Sequence, residues 1–143
     1  MSGTRILLVE DDPDDVHFMN RACSKVCPSV RLEVARDGQA AIDRLSENGG
    51  AEKPAFVLLD LKIPKKPGLE VLEWIRKTPS LSDLRVMILT SSQNESEIQR
   101  AKELGIDAFL VKPVGFPALK ELVRKICQDW SIETAGEQSP VNS

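Results

Sequence analysis

Four apolar residues in unbroken succession, Phe56-Val57-Leu58-Leu59, run straight into a carboxylate, Asp60, and then into Lys62-Ile63-Pro64-Lys65-Lys66-Pro67-Gly68. A half-exposed strand alternates polar and apolar residues, so a run without alternation predicts a strand covered on both faces, as in the middle of a parallel sheet. The proline and glycine cluster ends that strand and opens a loop. A carboxylate at the C-terminal tip of such a strand lies where open α/β sheets bind their ligands, although aspartate is also a common turn residue. The rest of the chain decides between the two.

The same grammar recurs along the sequence. Thr4 to Val9 is a second buried-type strand ending in acids, Glu10, Asp11 and Asp12. Pro13 suits a helix start, where its missing N–H costs nothing, and Asp12, Asp14 and Asp15 suit the positive end of the helix dipole. Val16, Met19, Cys23 and Val26 keep helical spacing up to Cys27, and Pro28 closes the helix. Arg31 to Ala35 alternates, which predicts a strand nearer the sheet edge. Asp37 caps the next helix, with Ala41, Ile42 and Leu45 inward and Asn48-Gly49-Gly50 as its stop. Leu69, Leu72 and Ile75 mark a helix ending before Pro79, and Arg85 to Thr90 is a fourth strand ending in a hydroxyl. A polar, lightly packed helix spans Asn94 to Leu104 and stops at Gly105. Asp107 to Val111 is a fifth strand, followed by Lys112-Pro113. Phe116, Leu119, Leu122, Val123, Ile126 and Trp130 make a last amphipathic helix. Strands alternating with helices predict a parallel sheet with helices on both faces; of the common doubly wound solutions, the flavodoxin-like order is 2-1-3-4-5.

At 143 residues the chain has the length of one domain. We expect that domain over residues 4–130 and a disordered tail, rich in Ser, Glu, Gln and Pro, over 131–143. No apolar run approaches the roughly 20 residues that span a bilayer, and the N-terminus lacks a signal-peptide core. A net charge of −3 argues against nucleic acid as a direct partner. The odd count of three cysteines, with no Cys-x-x-Cys, points to free thiols acting as small hydrophobes in a reducing, cytoplasmic setting.

In such a sheet the strand tips point one way and their residues converge: Glu10 and Asp11, Asp60, Thr90, and Lys112. Two unit charges about 4 Å apart repel by about 4 kcal/mol at an effective dielectric near 20, so clustered carboxylates either raise their pKa values or share a cation. A donor set of oxygens without His or Cys points to Mg²⁺ or Mn²⁺ rather than zinc. Thr90 and Lys112 offer a hydroxyl and an ammonium suited to a phosphoryl group, leaving Asp60 as a nucleophile. Each residue has an ordinary role on its own, as helix cap, turn residue or solvated charge. Four ordinary roles at four strand ends of one chain would be a coincidence.

These motifs, Ile6-Leu7-Leu8-Val9-Glu10-Asp11-Asp12-Pro13, Leu58-Leu59-Asp60-Leu61-Lys62-Ile63-Pro64 with Gly68, Leu89-Thr90-Ser91-Ser92 and Val111-Lys112-Pro113, resemble the receiver domain of two-component response regulators. The acidic opening and the Lys65-Lys66 turn look most like the single-domain regulators associated with bacterial phytochrome histidine kinases, although Pro67 stands where such members carry an aspartate. The resemblance implies that Asp60 is the phosphoacceptor. It implies that Asp11 and Asp60 ligate Mg²⁺ by side chain, Lys62 by its backbone carbonyl and Glu10 through water. Lys112 would pair with the phosphate, Thr90 would turn its hydroxyl toward it, and Phe109 would be the switch aromatic. Pro113 implies a cis peptide after Lys112, and Lys62 and Ser92 occupy positions that tune hydrolysis.

The expected function is therefore that of a stand-alone response regulator in a phosphorelay, a phosphoacceptor signalling protein rather than an enzyme. The lone histidine, His17, sits among acids on the first helix, so the donor histidine must come from a sensor kinase or phosphotransfer protein. The face of the fourth helix, fifth strand and fifth helix would bind a downstream protein, and Phe116 and Trp130 leave a homodimer open; no membrane contact is expected. Two alternatives are a phosphorylation-independent scaffold and a haloacid-dehalogenase-type phosphatase. The second requires another aspartate two residues after the nucleophile, where this chain has Lys62.

Overall fold

The structure is a computed structural model that describes residues 4–47 and 52–130. Its elements in chain order are β1 (Arg5–Val9), α1 (Pro13–Val26), β2 (Arg31–Ala35), α2 (Gly38–Ser46), β3 (Phe56–Leu59), α3 (Gly68–Lys77), β4 (Arg85–Thr90), α4 (Glu95–Leu104), β5 (Ala108–Val111) and α5 (Phe116–Asp129). The strands form one five-stranded sheet in the order β2-β1-β3-β4-β5, parallel throughout. The flavodoxin-like order 2-1-3-4-5 expected from the alternation of elements is the observed one. The Asn48-Gly49-Gly50 helix stop and the tail over 131–143 lie outside the described residues.

Why the central strands lack alternation is visible in the two cores. Leu7, Val9, Val57, Leu59, Val86 and Ile88 face one side of the sheet, where α2, α3 and α4 cover them. Ile6, Leu8, Phe56, Leu58, Met87 and Leu89, their neighbours in sequence, face α1 and α5 on the other side. Both faces being dry, every position must be apolar, and fully burying each large side chain contributes roughly 1.5–3 kcal/mol. β2, at the edge, is half-buried along most of its length, and its Glu33 pairs with Arg44 of α2 at 2.8 Å.

The helices follow their apolar stripes. Asp12 caps α1 by accepting from the Asp14 N–H at 2.8 Å, and Asp37 caps α2 by accepting from the Ala40 N–H at 2.7 Å. Ile42, expected inward with Ala41 and Leu45, is only half-buried because it stands at the margin of that stripe. α4 is attached as lightly as its polar sequence predicts, with Ala101 its one fully buried residue, and Gly105 ends it at φ 98°. Trp130 lies against Phe56 with ring centroids 4.8 Å apart, and Phe116 is half-buried beside the same core, so both contribute to packing within the chain.

Candidate functional site

Backbone hydrogen bonds carry the parallel ladder one step past the strands and fix the residues that follow. The Glu10 N–H donates to the Ala35 carbonyl at 2.9 Å, Asp60 N–H to Val9 at 3.1 Å and Lys112 N–H to Thr90 at 2.9 Å. Glu10, Asp60 and Lys112 are thereby held at one rim with Thr90, and Glu10, Asp60 and Thr90 are buried to 3%, 5% and 0% exposure. Side chains of this kind are buried only when paired.

Their pairing is centred on Asp60. One carboxylate oxygen, Oδ2, lies 2.8 Å from Lys112 Nζ. The other, Oδ1, accepts from Thr90 Oγ1 at 2.8 Å and from the Lys62 backbone N–H at 3.0 Å. Lys112 Nζ also reaches Glu10 Oε1 at 2.6 Å and Asp15 Oδ2 at 2.8 Å. The second oxygen of Glu10 accepts from the Asp12 N–H at 3.1 Å. Burial pushes the Glu10 carboxyl up to about 7, against the opposing hydrogen bonds of Lys112 and the Asp12 N–H and with the Asp60 charge adding to the rise. Burial by itself would lower Lys112, but its bonds to Asp15, Asp60 and Glu10 hold it above the usual lysine range.

The loop after β3 is shaped to keep Asp60 in place. The Gly68 N–H donates to the Leu61 carbonyl at 3.1 Å, and a Cβ on Gly68 would lie 2.5 Å from the Asp60 carbonyl oxygen and 2.6 Å from Leu61 Cα. Only glycine permits that approach. Pro67, before it, gives α3 no side-chain cap. Lys65, in the same loop, has φ 69°, an uncommon left-handed backbone for a residue with a side chain. The Lys112–Pro113 bond, expected cis, is trans, as is every peptide bond among the described residues; for X–Pro, trans is favoured by roughly 0.5–1 kcal/mol.

Asp60, Thr90, Lys112 and Glu10 are therefore brought together. Asp11 follows Glu10 and is exposed, with its side chain outside this network. The Lys62 side chain turns away to Glu97 of α4 at 3.3 Å, and Glu97 accepts from Ser92 Oγ at 2.7 Å. Phe109 is half-buried against the core under α3 and α4, across β4–β5 from Ile88 and on the face that also holds Thr90. His17 is exposed on α1. Two participants escaped the sequence reading. Asp15 reads in the sequence as a helix-dipole acid alone, yet from the first turn of α1 it reaches Lys112. Glu97 carries no signal of its own on a polar helix; its partners are Ser92, in the loop just before α4, and Lys62, in the distant β3–α3 loop.

The acids at this rim outnumber the one ammonium, and their donors are all oxygens. Among the described residues no three acidic side chains gather closely enough to enclose an ion, since Lys112 Nζ occupies the point on which they converge. The Glu10 carboxyl is raised chiefly by burial, with the Asp60 charge adding to the rise, and a divalent cation would offset both. An all-oxygen donor set of this kind suits a hard divalent cation.

Comparison with known proteins is consistent in every direction. The family model for the response regulator receiver domain matches residues 6–124. The chain is 39% identical to the probable methanogenesis regulatory protein FilR2 of Methanothrix harundinacea, over 87% of this chain and 82% of that protein. It is 35% identical to the response regulator Rcp1 of Synechocystis sp., over 87% of each. The Mn²⁺-bound form of Rcp1 superposes with a TM-score of 0.78, covering 96% of this chain and 99% of that one. The phosphorylated cyanobacterial phytochrome response regulator RcpA superposes with a TM-score of 0.82 at 29% identity, covering 94% of this chain and 99% of that one.

Proposed function

This chain belongs to the response regulator receiver family, and from that premise we propose that Asp60 accepts a phosphoryl group from a phosphohistidine on another protein. The observation that carries the reading is the Asp60 carboxyl group itself. It is buried, with one oxygen 2.8 Å from the Lys112 ammonium and the other 2.8 Å from the Thr90 hydroxyl. A nucleophile and the two donors that would receive the transferred group are already assembled.

In the transfer an Asp60 oxygen bonds to phosphorus as the phosphorus–nitrogen bond to the donor imidazole breaks, and the departing imidazole takes up a proton. Such a reaction needs positioning and charge compensation more than covalent chemistry from its surroundings. Lys112 supplies compensation from one side of the carboxylate and Thr90 a hydrogen bond from the other. Glu10, Asp11 and Asp60, with the Lys62 carbonyl, would hold Mg²⁺ or Mn²⁺, which when bound adds positive charge against the phosphoryl oxygens. The Mn²⁺-bound form of Rcp1 supports a divalent ion. Thr90, once bonded to a phosphoryl oxygen, releases the contacts it now makes, and Phe109 on the same face repacks with α4, β5 and α5. That face then binds a downstream protein. RcpA, a phytochrome response regulator, supports a phytochrome-type kinase as donor. Residues 4–130 form the receiver unit.

The test is intact-protein mass after incubation with acetyl phosphate and Mg²⁺, for wild type and Asp60→Asn. The expected result is gain of one phosphoryl group by wild type alone, abolished by chelator. No gain by either protein, where a control receiver is phosphorylated, would leave a phosphorylation-independent scaffold. Gain by both would remove Asp60 as the sole acceptor.

A further inference from the structure

The three cysteines, Cys127 lying 100 positions after Cys27, meet in the fold. Cys23 and Cys27 lie one turn apart at the end of α1, and Cys127 lies in the last turn of α5. The Sγ atoms of Cys27 and Cys127 are 2.8 Å apart, and all three thiols are buried and unbridged. Because both helices run antiparallel to the strands, their ends lie at the opposite edge of the sheet from the carboxylate rim. The chemistry proposed for Asp60 uses none of these thiols.

Small hydrophobes would satisfy the core without such an approach of sulfurs. Two sulfurs at 2.8 Å need close by less than about 1 Å to reach a disulfide bond of about 2.05 Å. Cys23 cannot substitute for Cys127 as the partner of Cys27. Residues four apart on a helix have Cβ atoms about 5–6 Å apart, beyond the roughly 3.5–4.5 Å that a disulfide spans. Cys127 and then Cys23 direct S–H groups at the Cys27 sulfur, which lowers the Cys27 thiol below its ordinary range while burial opposes that shift. Cys27 is thus the sulfur on which the other two S–H groups converge, the placement that favours loss of its own proton. Access comes from its place as the α1 C-cap, directly before the exposed Pro28 and Ser29, since helix ends open locally at low cost.

We infer that Cys27 and Cys127 form a redox modification site at which a hydroperoxide installs an intramolecular disulfide between α1 and α5. The Cys27 thiolate attacks one oxygen of hydrogen peroxide and the O–O bond breaks. Hydroxide leaves and is protonated to water, and Cys27 becomes a sulfenic acid. The Cys127 sulfur then attacks the Cys27 sulfur, the S–O bond breaks, and a second water departs with the Cys127 proton. Two thiols are oxidised by two electrons and one peroxide is reduced to two waters. A dithiol reductant reverses the modification.

The sequence makes the test direct, because trypsin separates Cys23 (residues 22–25), Cys27 (26–31) and Cys127 (126–143) into different peptides. The folded chain is treated with hydrogen peroxide, quenched with catalase, then alkylated in denaturant without reductant and mapped by mass spectrometry. The expected result is one alkylated cysteine, Cys23, and a 26–31 peptide joined to 126–143 and released by dithiothreitol. Cys23→Ala should retain the linked pair, and in Cys127→Ala no linked peptide should form, with Cys23 alkylated and the 26–31 peptide carrying oxygen on Cys27. Three alkylated cysteines in the treated wild type would overturn the inference. So would linkage of 22–25 to 26–31, or terminal oxidation of Cys27 without a link; the wild-type map requires no variant to fold.

Discussion

Glu10 and Lys112 show how much a single charged residue at the rim can commit the molecule. Glu10 keeps its proton in the folded, metal-free protein up to about pH 7, against an ordinary 4.5. The folded state therefore binds that proton more tightly than the unfolded chain, so the stability it brings is complete below pH 4.5 and is lost as pH rises through 7. The loss is about 3 kcal/mol at most. Urea unfolding from pH 4.5 to 8 in the presence of chelator should show wild type losing stability relative to Glu10→Gln, and parallel curves for the two would refute the assignment. Added Mg²⁺ should stabilise wild type more at pH 8 than at pH 5, because the cation competes with the proton for the same oxygens. Lys112→Ala removes the only ammonium from three carboxylates, two of them buried, which costs about 3–5 kcal/mol at neutral pH and less in acid. Its chemical denaturation midpoint should fall accordingly, and phosphoryl gain from acetyl phosphate should be lost.

The β3–α3 connection is tightly constrained by close backbone approach. Gly68 begins α3 against the backbone of Asp60, so Gly68→Ala must displace either the helix or Asp60 itself. We expect a stability loss of about 1–3 kcal/mol in thermal unfolding, together with slower phosphorylation. Gly105→Ala, at φ 98° but with no close contact, should cost about 1 kcal/mol and leave phosphorylation unchanged, which separates strain from site geometry. α4 contrasts with its neighbours. It buries Ala101 alone and is tied to the site by the Lys62–Glu97–Ser92 contacts, which are exposed or half-exposed. An exposed ion pair of this kind contributes about 0–1 kcal/mol, so α4 is held by little and can be re-set by the state of Asp60. Hydrogen exchange should find the amides of Glu95–Leu104 less protected than those of α1 or α5. Equal protection in the three helices would remove α4 as the moving element.

For the whole molecule, the doubly covered sheet separates two kinds of chemistry. The carboxylate rim lies at the C-terminal tips of the strands and the cysteine cluster at the far edge, with the cores around Leu59 and Leu58 between them. Truncating such a core residue, as in Leu59→Ala, should cost about 2–5 kcal/mol in urea unfolding, because the cavity lies in the middle strand where neither face can collapse onto it. A loss below about 1 kcal/mol would contradict the packing described.

The order of elements, their capping residues and the strand tips were legible in the amino-acid sequence, because each is set by local physics. Short unbroken apolar runs bounded by acids, prolines and glycines read as strands with two dry faces, Asp12 and Asp37 can accept from the amides that follow them, and Gly105 can leave a helix at positive φ. Asp60, Thr90, Lys112 and Glu10 could be singled out because parallel strands deliver their ends to one rim. Contacts that depend on side-chain reach across that rim were decided only in three dimensions. Asp15 joins Lys112 from a helix, Lys62 leaves Asp60 for Glu97, and Lys112 takes the place between carboxylates that spacing alone had left to a cation. The same holds for the meeting of Cys27 with Cys127. The sequence reads the cysteines as small buried hydrophobes, but which of them touch is fixed by the packing of α1 against α5, and no local pattern encodes that distance.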